Sequence, residues 1–73
     1  MRTFNVKMIW ESGVWHTSTG GPLHLTLESE SYDGLLERVL IAAPEMVELN
    51  IGYTGPIKLV FTSEREETLA EAV

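Results

Sequence analysis

Leu23-His24-Leu25-Thr26-Leu27-Glu28-Ser29-Glu30-Ser31-Tyr32-Asp33-Gly34-Leu35-Leu36-Glu37-Arg38-Val39 is where the chain changes period. Up to Glu28 apolar and polar residues alternate, with Leu23, Leu25 and Leu27 on one side and His24, Thr26 and Glu28 on the other. A repeat of two is a strand with one buried face. From Leu35 the apolar positions become Leu35, Leu36, Val39, Leu40, Ala43, Met46 and Val47, the i, i+3, i+4, i+7 spacing of one helix face. Ser31 suits the N-cap, and Asp33 in the first turn suits the positive end of the helix dipole. Gly34 weakens that turn. Pro44 lacks an N–H and clashes with the preceding turn, so a kink or a break with a fresh turn is expected there. The helix should end between Asn50 and Gly52.

Upstream of this junction lie two more strands. Thr3 to Trp10 alternates, with Phe4, Val6, Met8 and Trp10 on one face and Thr3, Asn5, Lys7 and Ile9 on the other. Glu11-Ser12-Gly13 is a hairpin turn, and Val14 to Ser18 is rich in β-branched and aromatic residues. Thr19-Gly20-Gly21-Pro22 is a loop leading to a third strand over Leu23 to Glu28. Downstream, Tyr53-Thr54-Gly55-Pro56 is a loop, and Ile57 to Thr62 is a fourth strand with Ile57, Leu59 and Phe61 inward. Ser63 followed by Glu66 fits a capping box, and Leu69, Ala72 and Val73 share helical spacing, so the end is a short helix or a frayed acidic tail. The expected fold is α+β in the order β-β-β-α-β: a four-stranded, mainly antiparallel sheet with one main helix packed on one face. A single domain spans 1–63, and 64–73 is the acidic tail or short helix. With the leucine face of the third strand on the helix, Trp10 or Trp15, or both, are expected on the open side of the sheet or at its rim. An uncovered apolar sheet face on so small a domain becomes an interface.

Size and charge limit the function. A chain of 73 residues buries only ~60% of the surface its unfolded form exposes. It has no cysteine, so disulfides and thiolate metal sites are excluded, and oligomerisation is the expected extra source of stability. Hydrophobic content of 44% with 22% charged residues is globular. Five bases against eleven acids leave a net charge of −6. That opposes a nucleic-acid or anionic-membrane surface and permits a basic protein partner. No run approaches the ~20 apolar residues of a membrane span. No signal-peptide pattern precedes the first strand, so a cytoplasmic location is expected. Glutamine is absent and asparagine occurs only at Asn5 and Asn50, a depletion shared with thermophilic proteins.

Phe4-Asn5-Val6-Lys7, the hairpin through Gly13-Val14-Trp15, and above all the run Leu35-Leu36-Glu37-Arg38-Val39 continuing to Pro44-Glu45 resemble the HicB-like antitoxin superfamily, and within it a small branch of stand-alone domains. The resemblance spans roughly residues 3–62. It implies a partial ribonuclease-H-like fold, assembly into dimers or higher oligomers, and neutralisation of a small basic toxin that cleaves messenger RNA. Family members typically add a C-terminal DNA-binding segment. Here the stretch after Thr62 is short and acidic, wrong in size and sign for that role.

Several side-chain sets have a chemical reading and a plainer one. Glu28, Glu30, Asp33 and Glu37 are a magnesium- or calcium-type cluster on one reading and a solvated, dipole-matched helix start on the other, more ordinary one. A ribonuclease-H-type centre needs several carboxylates around two metal ions, one on the first strand, and that strand carries no acid before Glu11. His16 and His24 on neighbouring strands, with Glu28, would make a zinc-like set; two sheet histidines are the plainer reading. No Gly-x-Ser-x-Gly elbow exists, and Gly20-Gly21-Pro22 lacks the Lys-Ser/Thr of a phosphate loop. The expected function is therefore non-enzymatic and without cofactor: an antitoxin-like interaction module. Trp10, Trp15 and the outward side of the sheet would mediate self-association. Glu30, Asp33, Glu37, Glu66 and Glu67 would face a small basic toxin-like or RNA-binding protein. The alternatives are a small metal-dependent hydrolase built on His16, His24 and the acids, and a structural or ligand-binding homo-oligomer.

Overall fold

The structure, a computed structural model, describes residues 1–70. Five elements follow one another: β1 (Arg2–Glu11), β2 (Val14–Ser18), β3 (Glu28–Ser29), α1 (Tyr32–Ile51) and β4 (Ile57–Arg65). The sheet order is β3-β2-β1-β4. β1 pairs antiparallel with β2, β2 antiparallel with β3, and β4 parallel with β1. The fold is thus α+β, with two of its three strand pairings antiparallel. The parallel pair follows from the helix. α1 starts beside the end of β1 and runs back along the sheet, so β4 begins next to Arg2 and ends next to Trp10.

Register sets the faces. In β1, Phe4, Val6, Met8 and Trp10 point toward the helix; Val6 and Met8 are fully buried. They meet Leu35, Val39, Ala43 and Val47 of α1 and Leu23 and Leu25 of the β2–β3 connection. Ser12 (φ 53°) and Gly13 (φ 82°) form the two-residue turn between Glu11 and Val14. Two successive positive φ values match the right-handed twist of the flanking strands.

The third strand departs from its expected span. Only Glu28–Ser29 is laddered, and Leu23 to Leu27 cross as a connection that His24 bends at φ 46°. Leu23 and Leu25 still bury against the helix, because one backbone bond, from the Thr17 N–H to the Leu27 carbonyl at 3.0 Å, and two hydroxyls replace the missing ladder. The Thr17 Oγ1 donates to the Leu25 carbonyl (3.1 Å) and accepts from the Leu27 N–H (3.0 Å). The Leu25 N–H donates to Thr19 Oγ1 at 2.8 Å.

α1 begins as expected. Ser31 is its N-cap and accepts from the Gly34 N–H at 3.0 Å. Gly52, at φ 67°, closes it by donating its N–H to the Glu48 carbonyl at 2.8 Å. The helix runs unbroken through Pro44, so of the two expected outcomes, a kink or a break with a fresh turn, the break does not occur. Pro44 and Leu40 both face outward, so the lost bond to the Leu40 carbonyl falls where water can serve it. Leu40 itself is 52% exposed rather than in the core. The buried stripe Leu35–Val39–Ala43–Val47 advances by fours, and at 100° per residue Leu40 lies off it.

Gly34 has a second reason to be small. A Cβ there would lie 2.7 Å from Ser31 Oγ and 2.8 Å from Ser29 Oγ. Glycine-to-alanine changes inside helices usually stabilise by ~0.5–1 kcal/mol. Gly34→Ala should instead displace the cap, worth ~1 kcal/mol, and give a melting temperature no higher than the parent's. A higher one, read by circular dichroism, would show that the cap survives the added methyl.

β4 continues to Arg65, through the Ser63–Glu66 pattern that suggests a helix start; pairing of Ser63, Glu64 and Arg65 with Met8, Ile9 and Trp10 holds it extended. The domain therefore reaches Arg65, two residues past the expected boundary. Residues 66–70 carry no regular element; the helical spacing of Leu69 with Ala72 and Val73 runs beyond the described residues. The Cα radius of gyration is 14.6 Å and the extents are 57 × 19 × 17 Å, against ~11 Å for a compact chain of this length. Among the described residues no helix is long and apolar enough to cross a membrane.

Candidate functional site

Five chain segments converge at one end of the molecule: the ends of β1 and β4, the start of β2, β3, and the N-terminus of α1. The register sets Trp10 opposite Trp15. Both point to the helix side and are half-buried at the turn end of the sheet, so of the two expected places, the open face or the rim, the open face is not the one they take. Trp10 shares its parity with buried Val6 and Met8, and the antiparallel pairing carries Trp15 with it. Their rings lie 5.5 Å apart at 57°. Trp15 in turn meets Tyr32, in the first turn of α1, edge to face at 5.0 Å and 83°. The Ser63 hydroxyl donates to the Tyr32 oxygen at 3.2 Å, tying β4 to the helix start. Arg65 lays its guanidinium over Trp10 at 4.7 Å, and its Nε donates to Glu67 at 2.6 Å. Such stacks bind cations through the negative ring face.

Acids surround this aromatic row. Glu30 and Asp33 flank the helix N-terminus and are exposed, with Glu37 one turn further along the outer face. Glu28 ends the β2–β3 connection, and its carbonyl accepts from Arg38 Nη1 at 2.7 Å. Glu11, Ser12, Glu64 and Glu66 border a shallow groove beside Trp10. The structure thus brings Glu30, Asp33, Glu66 and Glu67 to the same end as Trp10 and Trp15. The stack of Trp10, Trp15 and Arg65 goes beyond the sequence-based expectations. Half of its signal is local: the two tryptophans stand symmetrically about the turn, on either side of Glu11-Ser12-Gly13-Val14.

The open sheet face carries Thr3, Asn5, Lys7 and Ile9 of β1, Val14, His16 and Ser18 of β2, and Lys58, Val60, Thr62 and Glu64 of β4. It is largely polar, with Lys7 3.7 Å from Glu64. His16 lies opposite Glu28 in the β2–β3 register. His24 sits outside the sheet, in the connection, beside Gly21. Among the described residues no three His, Asp or Glu side chains gather as a metal would need, so the His16–His24–Glu28 set is not assembled. The His16 Nε2 is shielded and has no hydrogen-bond partner among the described residues.

Arg65→Ala should remove the guanidinium from Trp10 and shift the tryptophan emission, while stability changes by less than ~1 kcal/mol, as fits an exposed pair. An unchanged spectrum would show that the stack does not form in solution.

No family model matches the chain, and no curated protein matches it. Among solved structures it is similar to the hypothetical protein TTHA1013 from the extremely thermophilic bacterium Thermus thermophilus, with a TM-score of 0.74 and 25% identity, over 93% of this chain and 100% of that one.

Proposed function

We propose that this chain is a non-enzymatic, self-associating interaction module of antitoxin type, and that its aromatic, acid-rimmed end binds a small basic protein. The observation that carries the reading is that Asp33, beside Tyr32 in the first turn of α1, and Glu66 and Glu67, beside the Arg65 that stacks on Trp10, lie at the end that carries the Trp10–Trp15–Tyr32 row, in a chain with net charge −6. Aromatic side chains anchor interfaces, and surrounding carboxylates speed and orient a basic partner. Arg65 on Trp10, held by Glu67, is a local example of how a partner's arginine would sit. The tryptophans, expected to serve self-association, fit this partner-binding end better because they stand among the acids. A cytoplasmic setting suits a chain without cysteine.

The double reversal Asp33→Lys with Glu37→Lys tests the assignment. With the basic partner purified, calorimetry should show affinity at least ~tenfold weaker than the parent's and a smaller salt dependence. The helix should lose under ~1 kcal/mol from the reversed charge near its N-terminus, so the domain stays folded. Unchanged affinity would remove this face from binding.

A further inference from the structure

The two edges of the sheet differ. β3 offers two residues; β4 offers nine, Ile57–Arg65. Among the described residues no element pairs with the outer edge of β4. Proteins blunt such edges with proline, bulges or repelling charges. β4 contains no proline, and it pairs with β1 residue for residue from Arg2–Ile57 to Trp10–Arg65, without a bulge. Leu59 and Phe61 remain half-buried on the helix side, and Val60 is 38% exposed on the open face. An edge of nine residues without proline or bulge is a template for another strand.

Charge selects that strand. Lys58 and Glu64 both lie on the open face, three residues to either side of Phe61. Arg2 stacks on Tyr53, Lys7 faces Glu64, Arg38 holds the Glu28 carbonyl and Arg65 lies on Trp10. Lys58 alone among the basic side chains has no such partner among the described residues. Laid antiparallel about Phe61, a second β4 sets Lys58 of each copy opposite Glu64 of the other. Val60 then meets Thr62, and Phe61 meets Phe61. Sliding the register by two residues loses both charge pairs, and a parallel arrangement sets lysine against lysine. Directly opposed unlike charges stabilise antiparallel pairs, and like charges destabilise them.

We propose that β4 pairs antiparallel with β4 of a second copy of this chain, centred on Phe61, to form one continuous eight-stranded sheet. The proposal rests on the self-association put forward above and names its surface.

Sedimentation velocity on the full chain provides the test. The parent should be a dimer. Lys58→Glu and Glu64→Lys should each raise the dimer dissociation constant by about tenfold or more, since two attractions become two repulsions. The two single variants, each repelling itself, are complementary to one another, so their equimolar mixture should recover parent-like dimers. That recovery also shows that neither variant is unfolded. A parent dimer that neither substitution weakens, or a mixture that does not recover, would overturn the β4 interface and leave self-association standing. A parent that stays monomeric at its solubility limit would overturn both.

Discussion

Thr17→Val is expected to lower the stability of the domain by about 2–4 kcal/mol and its melting temperature by roughly 10–20 °C. Valine keeps the shape of threonine and removes the hydroxyl. That hydroxyl is buried, donates to the Leu25 carbonyl at 3.1 Å and accepts from the Leu27 N–H at 3.0 Å. Both backbone groups would lose this partner where the β2–β3 ladder does not extend, and each orphaned buried group costs ~1–3 kcal/mol. A domain of this size is stable by only ~4–11 kcal/mol, so the loss is a large share. Thr17→Ser, which keeps the oxygen, should retain most of the stability. If thermal unfolding of the valine variant matched that of the parent within ~0.5 kcal/mol, the hydroxyl would not be standing in for a strand.

Leu35→Ala should cost about 2–5 kcal/mol, through lost burial and the cavity left behind. Leu40→Ala should change stability by less than ~0.5 kcal/mol. The periodicity treats these two leucines alike. The structure separates them: Leu35 is fully buried, and Leu40 is 52% exposed. Denaturant melts of the two variants give the comparison directly. Equal losses would mean that Leu40 is covered in solution, with the buried face of the helix turned toward it.

Those two residues also mark how much of the fold is legible in the sequence. A period of two and then 3.6, a serine at the cap and a glycine at the close are local signals, and β1, β2, the start of α1 and its end at Gly52 follow from them. Leu23, Leu25 and Leu27 have a strand's alternation, and Leu23 and Leu25 keep the inward face it implies. Upstream of Leu27, whose carbonyl still accepts from the Thr17 N–H at 3.0 Å, their backbone leaves the ladder, because His24 turns it and the Thr17 and Thr19 hydroxyls bond it instead. That outcome depends on side chains several residues away, which no window of alternation contains. Pro44 reads as a kink or a break when the helix is taken without its surroundings; on the outer face the missing bond is tolerated without a break.

The candidate site divides the same way. The acids at the helix start are legible from the dipole rule. Their union with Trp10, Trp15 and Glu66–Glu67 is not, since it requires β4 to run parallel to β1 and so finish beside Trp10. The antiparallel hairpin alone sets Trp10 against Trp15. The facing of that pair toward the helix follows from the parity of Val6 and Met8 carried across the turn, a relation that appears only once β1 and β2 are paired in register.

Binding of a basic protein at the acidic, aromatic end is most directly tested by a pull-down from the lysate of the native cell at low and high salt. The parent and the Asp33→Lys, Glu37→Lys variant are run side by side, with mass spectrometry of what co-elutes. One small basic protein is expected, near-stoichiometric with the parent at low salt, released at high salt and missing from the variant. Recovery of the parent chain alone, or of a partner that the variant holds equally well, would contradict the assignment.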